Sequence, residues 1–387
     1  MKEAGQLRET KPGPRIRRME DRDMNQFRVG IIGATGMVGQ RFVSLLKDHP
    51  WFRVTCVAAS ARSAGKSYRE AVGERWAFDW PIPENVAGMT VTDAADIDAV
   101  AAQVDFVFCA VDMKKDEIRA LEESYARHEI PVVSNNSACR GLADVPMVVP
   151  EINSAHLEVI ETQRKRLGSR KGFIAVKPNC SIQSYVPAIT PLLDFEPTKM
   201  SVCTYQAISG AGKTFKTWPE MVDNVIPYIS GEDEKSEQEP LKLWGHVEDQ
   251  GAGRIIVNAR EPVISAQCLR VACSDGHMAA VSVSFRKKVT KEEILDRWNH
   301  FETEAQRLEL PSAPRPFLQY FEDPSRPQTR LDRDFQRGFG ISIGRLREDR
   351  IFDWRFVCLS HNTIRGAAGG GILTAELLCR KGYIEAK

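Results

Sequence analysis

The sequence has almost no net charge and no long apolar run. Its 387 residues contain 53 Lys and Arg against 52 Asp and Glu, a formal charge of +1. A nucleic-acid binder or a disordered acidic chain would show an excess of one sign. A transmembrane helix needs about 18 consecutive apolar residues. We therefore expect neither a nucleic-acid nor a membrane partner.

Paired cysteines are also lacking. The chain has nine cysteines, and none belongs to a C-x-x-C pair. This spacing argues against a disulfide framework and against a zinc ribbon, so we expect no metal and a cytoplasmic location. Residues 1–26 lack the apolar centre of a signal peptide and contain several acidic residues, which is unlike an organellar presequence. We interpret them as a disordered tail, or as a misassigned start upstream of Met24.

The first organised segment carries a glycine-rich loop. An apolar run at 28–32 leads into GATGMVG at 33–39, and helical spacing follows from Gln40. Glycines between a strand and a helix let backbone N–H groups approach a pyrophosphate at the helix N-terminus. The candidate cofactor-binding residues here are Gly33, Thr35, Gly36, Met37, Val38 and Gly39. The alternative is an ordinary strand-to-helix turn.

The second predicted strand, 53–59, ends without an acidic residue. An NAD-binding protein presents Asp or Glu to the ribose 2′-hydroxyl at this point. Here the chain offers hydroxyl and basic side chains instead, Ser60, Arg62, Ser63 and Lys66. These groups suit a 2′-phosphate, so the sequence predicts NADP rather than NAD. A solvated basic turn is the alternative.

Strands and helices continue to alternate, which predicts a doubly wound parallel sheet. The strand at 131–134 is followed by a polar loop that includes Ser137 and Arg140. Ligands bind beyond the carboxyl ends of such strands, so both are candidate ligand contacts. The loop could equally be structural, with Ser137 as a cap.

Cys180 is the candidate nucleophile. It follows a strand that ends at Pro178 and precedes apolar positions from Ile182 that predict a helix. A helix start stabilises a thiolate, which lowers the thiol pKa. With a nicotinamide cofactor, such a thiolate suggests thiohemiacetal and thioester chemistry.

Five segments together resemble one enzyme family. GATGMVG, KPNCSIQ, QAISGAGK, NVIPYISGEDEK and CLRVACSDGH occur in this order, and the set is similar to aspartate-β-semialdehyde dehydrogenases of the archaeal and fungal branch. The resemblance runs from about Arg28 to the C-terminus.

The resemblance implies a fold and a division of the chain. It implies an α/β protein like glyceraldehyde-3-phosphate dehydrogenase, in which a Rossmann-type doubly wound NADP-binding domain precedes an α+β catalytic and dimerisation domain. The expected ranges are 27–155, 156–360, and 361–387 for a C-terminal helix that returns to the first domain.

The resemblance also implies a reaction. In the biosynthetic direction, NADPH reduces L-4-aspartyl phosphate through a cysteine thioester and releases phosphate and L-aspartate 4-semialdehyde. The product supplies lysine or diaminopimelate, threonine, methionine and isoleucine. A related alternative is N-acetyl-γ-glutamyl-phosphate reductase, and a non-enzymatic alternative is a Rossmann protein that senses nucleotides.

Residue roles follow from the same resemblance. The implied catalytic residues are Cys180 as nucleophile, Gln206 to orient the acyl group and His277 as acid and base. The implied substrate contacts are Arg140 and Lys235 for phosphate, Arg270 for the carboxylate, and Glu232, with Glu234 as an alternative, for the ammonium group. Near the nicotinamide it places Ser209, Gly210, Gly212 and Asn362. It further implies a homodimer or a tetramer.

Overall fold

The computed structural model describes residues 27–387. The tail predicted for residues 1–26 lies outside this range. No helix within 27–387 has both the length and the apolar character that a membrane span requires.

The first sheet is parallel and has six strands. They are β1 (Phe27–Ile32), β2 (Phe52–Ala59), β3 (Thr92–Asp93), β4 (Phe106–Cys109), β5 (Val132–Ser134) and β6 (Ile174–Val176). Their order is β3-β2-β1-β4-β5-β6. Most strand residues are buried, as expected when both faces of a parallel sheet are covered. The predicted doubly wound sheet is therefore confirmed.

The second sheet is mixed and larger. The later strands are β7 (Pro197–Gln206), β8 (Val225–Ile226), β9 (His246–Asp249), β10 (Arg254–Val257), β11 (Val263–Val271), β12 (His277–Phe285), β13 (Leu318–Phe321), β14 (Ile341–Glu348) and β15 (Trp354–Ser360). Seven of them form the order β13-β14-β15-β12-β7-β11-β8, and β9 pairs with β10. Burial alternates along β7, so one face of this sheet packs inward and the other is open.

The helices are mostly short. They are α1 (Met37–Leu45), α2 (Tyr68–Val72), α3 (Glu84–Ala87), α4 (Ile97–Ala101), α5 (Lys115–Arg127), α6 (Ile160–Leu167), α7 (Val186–Ile189), α8 (Glu232–Leu243), α9 (Lys291–Asn299), α10 (Glu304–Arg307), α11 (Thr329–Asp332) and α12 (Gly369–Arg380). Helix α8 packs on β11 of the second sheet. A π-helical turn at Ile364–Ala368 leads directly into α12.

Helix α12 packs with the first sheet. All twelve of its residues are buried, and its apolar side chains share a core cluster with Phe42 of α1 and Phe108 of β4. The approach is close, because a Cβ built on Gly371 would lie 2.9 Å from Cζ of Phe42. The chain from 369 onward therefore completes the core of the first sheet.

The boundary expected between residues 155 and 156 does not separate the two sheets. Strand β6, at 174–176, pairs in parallel with β5 and is part of the first sheet. The strand carries the chain to the same sheet edge as β5, and the segment that follows contains Cys180. The cysteine therefore lies at the junction of the two sheets.

Candidate active site

Cys180 lies in a turn rather than at a helix start. Residues 180–185 form successive turns, and α7 begins only at Val186, so the helix predicted from Ile182 is wrong. Pro187 explains the later start, because proline is favoured in the first helical turn. The side chain of Asn179 shapes the turn, since its Oδ1 accepts hydrogen bonds from the Ser181 N–H at 2.8 Å and from Ser181 Oγ at 2.7 Å.

The predicted lowering of the Cys180 pKa is also wrong. Burial raises the pKa of the thiol, and the neighbouring Glu232 carboxylate raises it further. The cations Lys177, Arg140 and Arg270 act in the opposite direction without reversing the shift. No helix dipole is available to compensate, because α7 begins six residues later.

His277 faces the thiol. Its Nε2 lies 3.5 Å from Cys180 Sγ, and its Nδ1 accepts a hydrogen bond from the Ala207 backbone N–H at 3.0 Å. Burial lowers the pKa of His277 to about 3, and Arg270 contributes in the same direction. The imidazole is therefore neutral near pH 7. Because Nδ1 accepts, the ring proton is on Nε2 and points towards the sulfur.

A carboxylate centre lies beside this pair. Glu232, the first residue of α8, accepts hydrogen bonds from Asn179 Nδ2 at 3.0 Å, Gln206 Nε2 at 3.3 Å and Lys235 Nζ at 2.8 Å. Burial opposes its ionisation, but Lys235 and these hydrogen bonds outweigh burial and hold the Glu232 pKa below its ordinary value. Glu234 is exposed, so of the two glutamates only Glu232 lies in the site.

Two buried arginines form a cationic surface beside this carboxylate. Arg270 donates from Nη1 to the Ala207 carbonyl at 2.7 Å, and Arg140 donates from Nη1 to Glu239 at 2.9 Å. Gly210 is packed against this surface, because a Cβ at that position would lie 2.9 Å from Arg270 Nη1 and 3.0 Å from His277 Nε2. The structure thus brings together all seven predicted catalytic and substrate residues.

Sequence reasoning missed Lys177. Its side chain is buried, and its ammonium donates to the carbonyl of Pro178. Burial, together with the nearby Arg140 cation, lowers the pKa of Lys177 to about 7. The signal was present in the motif KPNC, where the lysine follows the last residue of a strand and precedes the cysteine by three residues.

The glycine loop opens onto a groove of about 520 Å³ at the carboxyl edge of the first sheet. Gly33 has φ of 86°, and a Cβ there would lie 2.4 Å from the Ala110 carbonyl oxygen. A Cβ on Gly39 would lie 2.2 Å from the carbonyl oxygen of Gly33. Only glycine permits this close approach of backbone segments, and the resulting cradle fits a dinucleotide phosphate.

Some of the predicted cofactor residues line this groove and others do not. Its wall includes Gly33, Thr35, Gly36, Ser60 and Arg62. The wall does not include Met37, Val38 and Gly39, which form the first turn of α1, or Ser63 and Lys66, which lie in the turn beyond Arg62.

Asp93 also lines the groove and was not anticipated. One of its oxygens accepts a hydrogen bond from the Ala95 N–H at 3.0 Å. Strand β3 has only two residues, too few for a recognisable pattern, so no local signal indicates that this acid lines the same groove as Ser60 and Arg62.

The remaining predicted cofactor contacts are not part of the wall of this groove. Asn362 donates to Ser209 Oγ at 2.9 Å and accepts from the Gly276 N–H at 2.8 Å. Gly212 ends the Ser209 turn with φ of 67°. Ser137 accepts through its carbonyl from the Arg140 N–H at 3.3 Å.

Comparison with known proteins identifies the family. Residues 28–160 match the family described as semialdehyde dehydrogenase, NAD binding domain, and residues 189–365 match semialdehyde dehydrogenase, dimerisation domain. Aspartate-semialdehyde dehydrogenase of Aspergillus fumigatus is 41% identical over 92% of this chain and 98% of its own length. The enzyme of Archaeoglobus fulgidus is 40% identical over 93% of this chain and 100% of its own length.

A solved structure gives the same result. Aspartate semialdehyde dehydrogenase with NADP from Candida albicans superimposes with a TM-score of 0.83 at 37% identity, over 93% of this chain and all of that one. The chain therefore belongs to the aspartate-semialdehyde dehydrogenase family.

Proposed function

We propose that the protein catalyses the reversible, NADPH-dependent reductive dephosphorylation of L-4-aspartyl phosphate to L-aspartate 4-semialdehyde. The observation that carries the proposal is the separation of 3.5 Å between Cys180 Sγ and His277 Nε2, in a pocket that also holds Arg140, Arg270 and Glu232. A thiol, a proton carrier and fixed charges of both signs match a small zwitterionic acyl phosphate.

Binding of the substrate places its charges on the buried groups. The fork of Arg270 pairs with the α-carboxylate, and Glu232 pairs with the α-ammonium group. Arg140 and Lys235 hold the phosphate. Lys235 contacts Glu232 in the free protein at 2.8 Å and needs only to exchange that partner. The substrate phosphate brings two negative charges close to the thiol, and the cations Lys177 and Arg140 would balance them.

Cys180 Sγ then attacks the acyl carbon, a C–S bond forms, and the C–O bond to phosphate breaks as the thiol proton passes to the departing phosphate. Departure of phosphate leaves a thioester on Cys180, whose carbonyl is oriented by the amide of Gln206. The Nε2–H of His277 donates a hydrogen bond to the carbonyl oxygen as that oxygen gains negative charge, since Nδ1 already accepts from the Ala207 N–H. Once the thioester carbon has been reduced, the C–S bond breaks, the aldehyde is released, and the sulfur takes up one proton from solvent to become the thiol again.

NADPH, when bound, supplies the hydride that reduces the thioester carbon. The groove wall at Gly33, Thr35 and Gly36 would hold its pyrophosphate, and Arg62 with Ser60 would hold the 2′-phosphate. Asn362, Ser209 and Ser137 are the residues that would contact the nicotinamide. Lysine or diaminopimelate, threonine, methionine and isoleucine are the end products that this activity would serve.

The decisive experiment measures NADP⁺ reduction with aspartate semialdehyde, with and without phosphate. We expect strict phosphate dependence and a decrease in kcat of at least about a thousandfold in Cys180→Ser. Cys203→Ser is the matched control, because Cys203 lies on the open face of β7. Activity of Cys180→Ser near the wild-type value would refute the proposal, and preference for the N-acetylglutamate semialdehyde would assign the related reductase instead.

We further propose that the protein is a homodimer, with a tetramer as a higher assembly, and that it acts in the cytoplasm. The open face of the second sheet supports self-association, because its apolar side chains include Tyr205 at 38% exposure, Val225 at 54% and Val263 at 68%. All nine cysteines lie within the described residues as free thiols, which suits a reducing compartment. Light scattering that returns a monomer mass at micromolar concentration would contradict the dimer.

A further inference from the structure

Helix α8 contacts both loops that meet at the proposed phosphate position. Glu232, Glu239 and Lys242 lie seven and three residues apart along it and therefore project from the same side of the helix. Glu232 belongs to the substrate site described above. Glu239 and Lys242 are also buried, at 9% and 5% exposure, and the proposed reaction assigns them no role.

Glu239 joins the phosphate-binding arginine to the nucleophile turn. Its Oε1 accepts from Arg140 Nη1 at 2.9 Å, and its Oε2 accepts from the Asn179 backbone N–H at 2.6 Å. Both partners are donors, so the position requires a side chain with two acceptor oxygens. The residue before Cys180 and the guanidinium of Arg140 are thereby held at a fixed separation.

The guanidinium of Arg140 is held in place by hydrogen bonds that leave some of its N–H donors free. Arg140 Nη2 donates to the Asn135 carbonyl at 3.0 Å, while Arg140 Nε is buried and has no hydrogen-bond partner within residues 27–387. Two contacts therefore set the orientation of the plane, and N–H groups remain available for an anion.

Lys242 holds the backbone of the same loop. Its ammonium donates to the carbonyls of Arg140 at 2.7 Å, Leu142 at 2.6 Å and Val145 at 2.9 Å. All three of its protons are used on one loop. The backbone and the side chain of Arg140 are thus both attached to α8.

We infer that Glu239 and Lys242 are positioning residues that hold Arg140 against the nucleophile turn, and so define the phosphate subsite of the reaction. This inference rests on the proposed function. It adds that the affinity for phosphate depends on two α8 side chains that are not among its predicted ligands.

The test substitutes each residue and measures phosphate binding in two ways. Glu239→Gln has one acceptor oxygen for two donors, so one contact is lost and an N–H faces another N–H. We expect the KM for phosphate to rise about tenfold or more, while the KM for aspartate semialdehyde, bound by Arg270, changes less than about twofold. Lys242→Met, which loses all three carbonyl contacts, should shift the phosphate KM in the same direction, and Glu239→Asp should restore part of the affinity.

Glu234→Gln is the matched control, because it removes one negative charge from an exposed position of the same helix. The second readout is the degree to which inorganic phosphate protects Cys180 from an alkylating reagent. We expect the phosphate concentration that gives half protection to rise in parallel with the phosphate KM. The melting temperature of each variant shows whether it is still folded. If Glu239→Gln is folded and its half-protecting phosphate concentration is unchanged or lower, the inference is overturned.

The protection assay works without turnover. It therefore reports on Glu239 even if the wild-type protein reduces no NADP⁺, an outcome that would refute the proposed function alone.

Discussion

The contact between Gly366 and Cys180 gives a prediction with a calculable size. Gly366 lies in the π-helical turn before α12, and a Cβ added there would lie 2.8 Å from Cys180 Cβ and 3.1 Å from Cys180 Cα. Carbon atoms in contact normally lie about 3.5–4.0 Å apart, so Gly366→Ala must separate the two segments by about 1 Å. The thiol then moves relative to His277, from which it is now 3.5 Å away.

A displacement of about 1 Å at a reacting atom costs on the order of 100-fold in rate. We expect kcat of Gly366→Ala to decrease by about this factor at saturating substrates, with melting temperature and secondary structure retained. The assay is phosphate-dependent NADP⁺ reduction. Gly88→Ala is the control, because a Cβ at Gly88 meets no atom within 4 Å. A kcat for Gly366→Ala within about threefold of the wild-type value would refute the reasoning.

Three further predictions follow from the site and its supports. Burial and Glu232 raise the pKa of Cys180, so its rate of alkylation by iodoacetamide, measured by mass spectrometry, should increase with pH. The midpoint pH of this increase should lie above that of an exposed cysteine in a peptide, and a rate that is already maximal at pH 7 would contradict this. Glu151→Gln breaks the buried bidentate pair with Arg365 at 2.5 and 2.8 Å. Urea titration should therefore show a free energy of unfolding lower by about 3–5 kcal/mol, and a decrease of less than about 1 kcal/mol would contradict this prediction. Arg62→Ala should raise the KM for NADP⁺ about tenfold without changing that for NAD⁺, and an equal effect on both cofactors would remove Arg62 from the 2′-phosphate site.

The fold was largely predictable because its signals are local and repeated. All the parallel strands except β3 appear as short apolar runs, and the glycine loop lies between a strand and a helix, as the motif requires. The strand β6 was harder to assign. Its three residues pair with β5 across a gap of about forty residues, and nothing in the run itself distinguishes one sheet from the other.

The site was predictable in its members but not in its electrostatics. Cys180 and His277 stand 97 residues apart in sequence, and only the family resemblance connected them. The protonation state of the thiol depends on burial and on the placement of Glu232, both of which are tertiary properties. The predicted effect of a helix N-terminus on the Cys180 thiol was wrong for a local reason. Pro187 sets the start of α7 at Val186, too far along the chain to act on the sulfur.

The packing of α12 has a consequence for the order in which the protein folds. The core of the first sheet includes Phe42 of α1 and Leu373 and Leu377 of α12, which are more than three hundred residues apart along the chain. During synthesis the first sheet must therefore wait for the chain beyond 369 before its apolar surface is covered. The high contact order of this packing should slow folding and leave the nascent first domain in need of protection from aggregation.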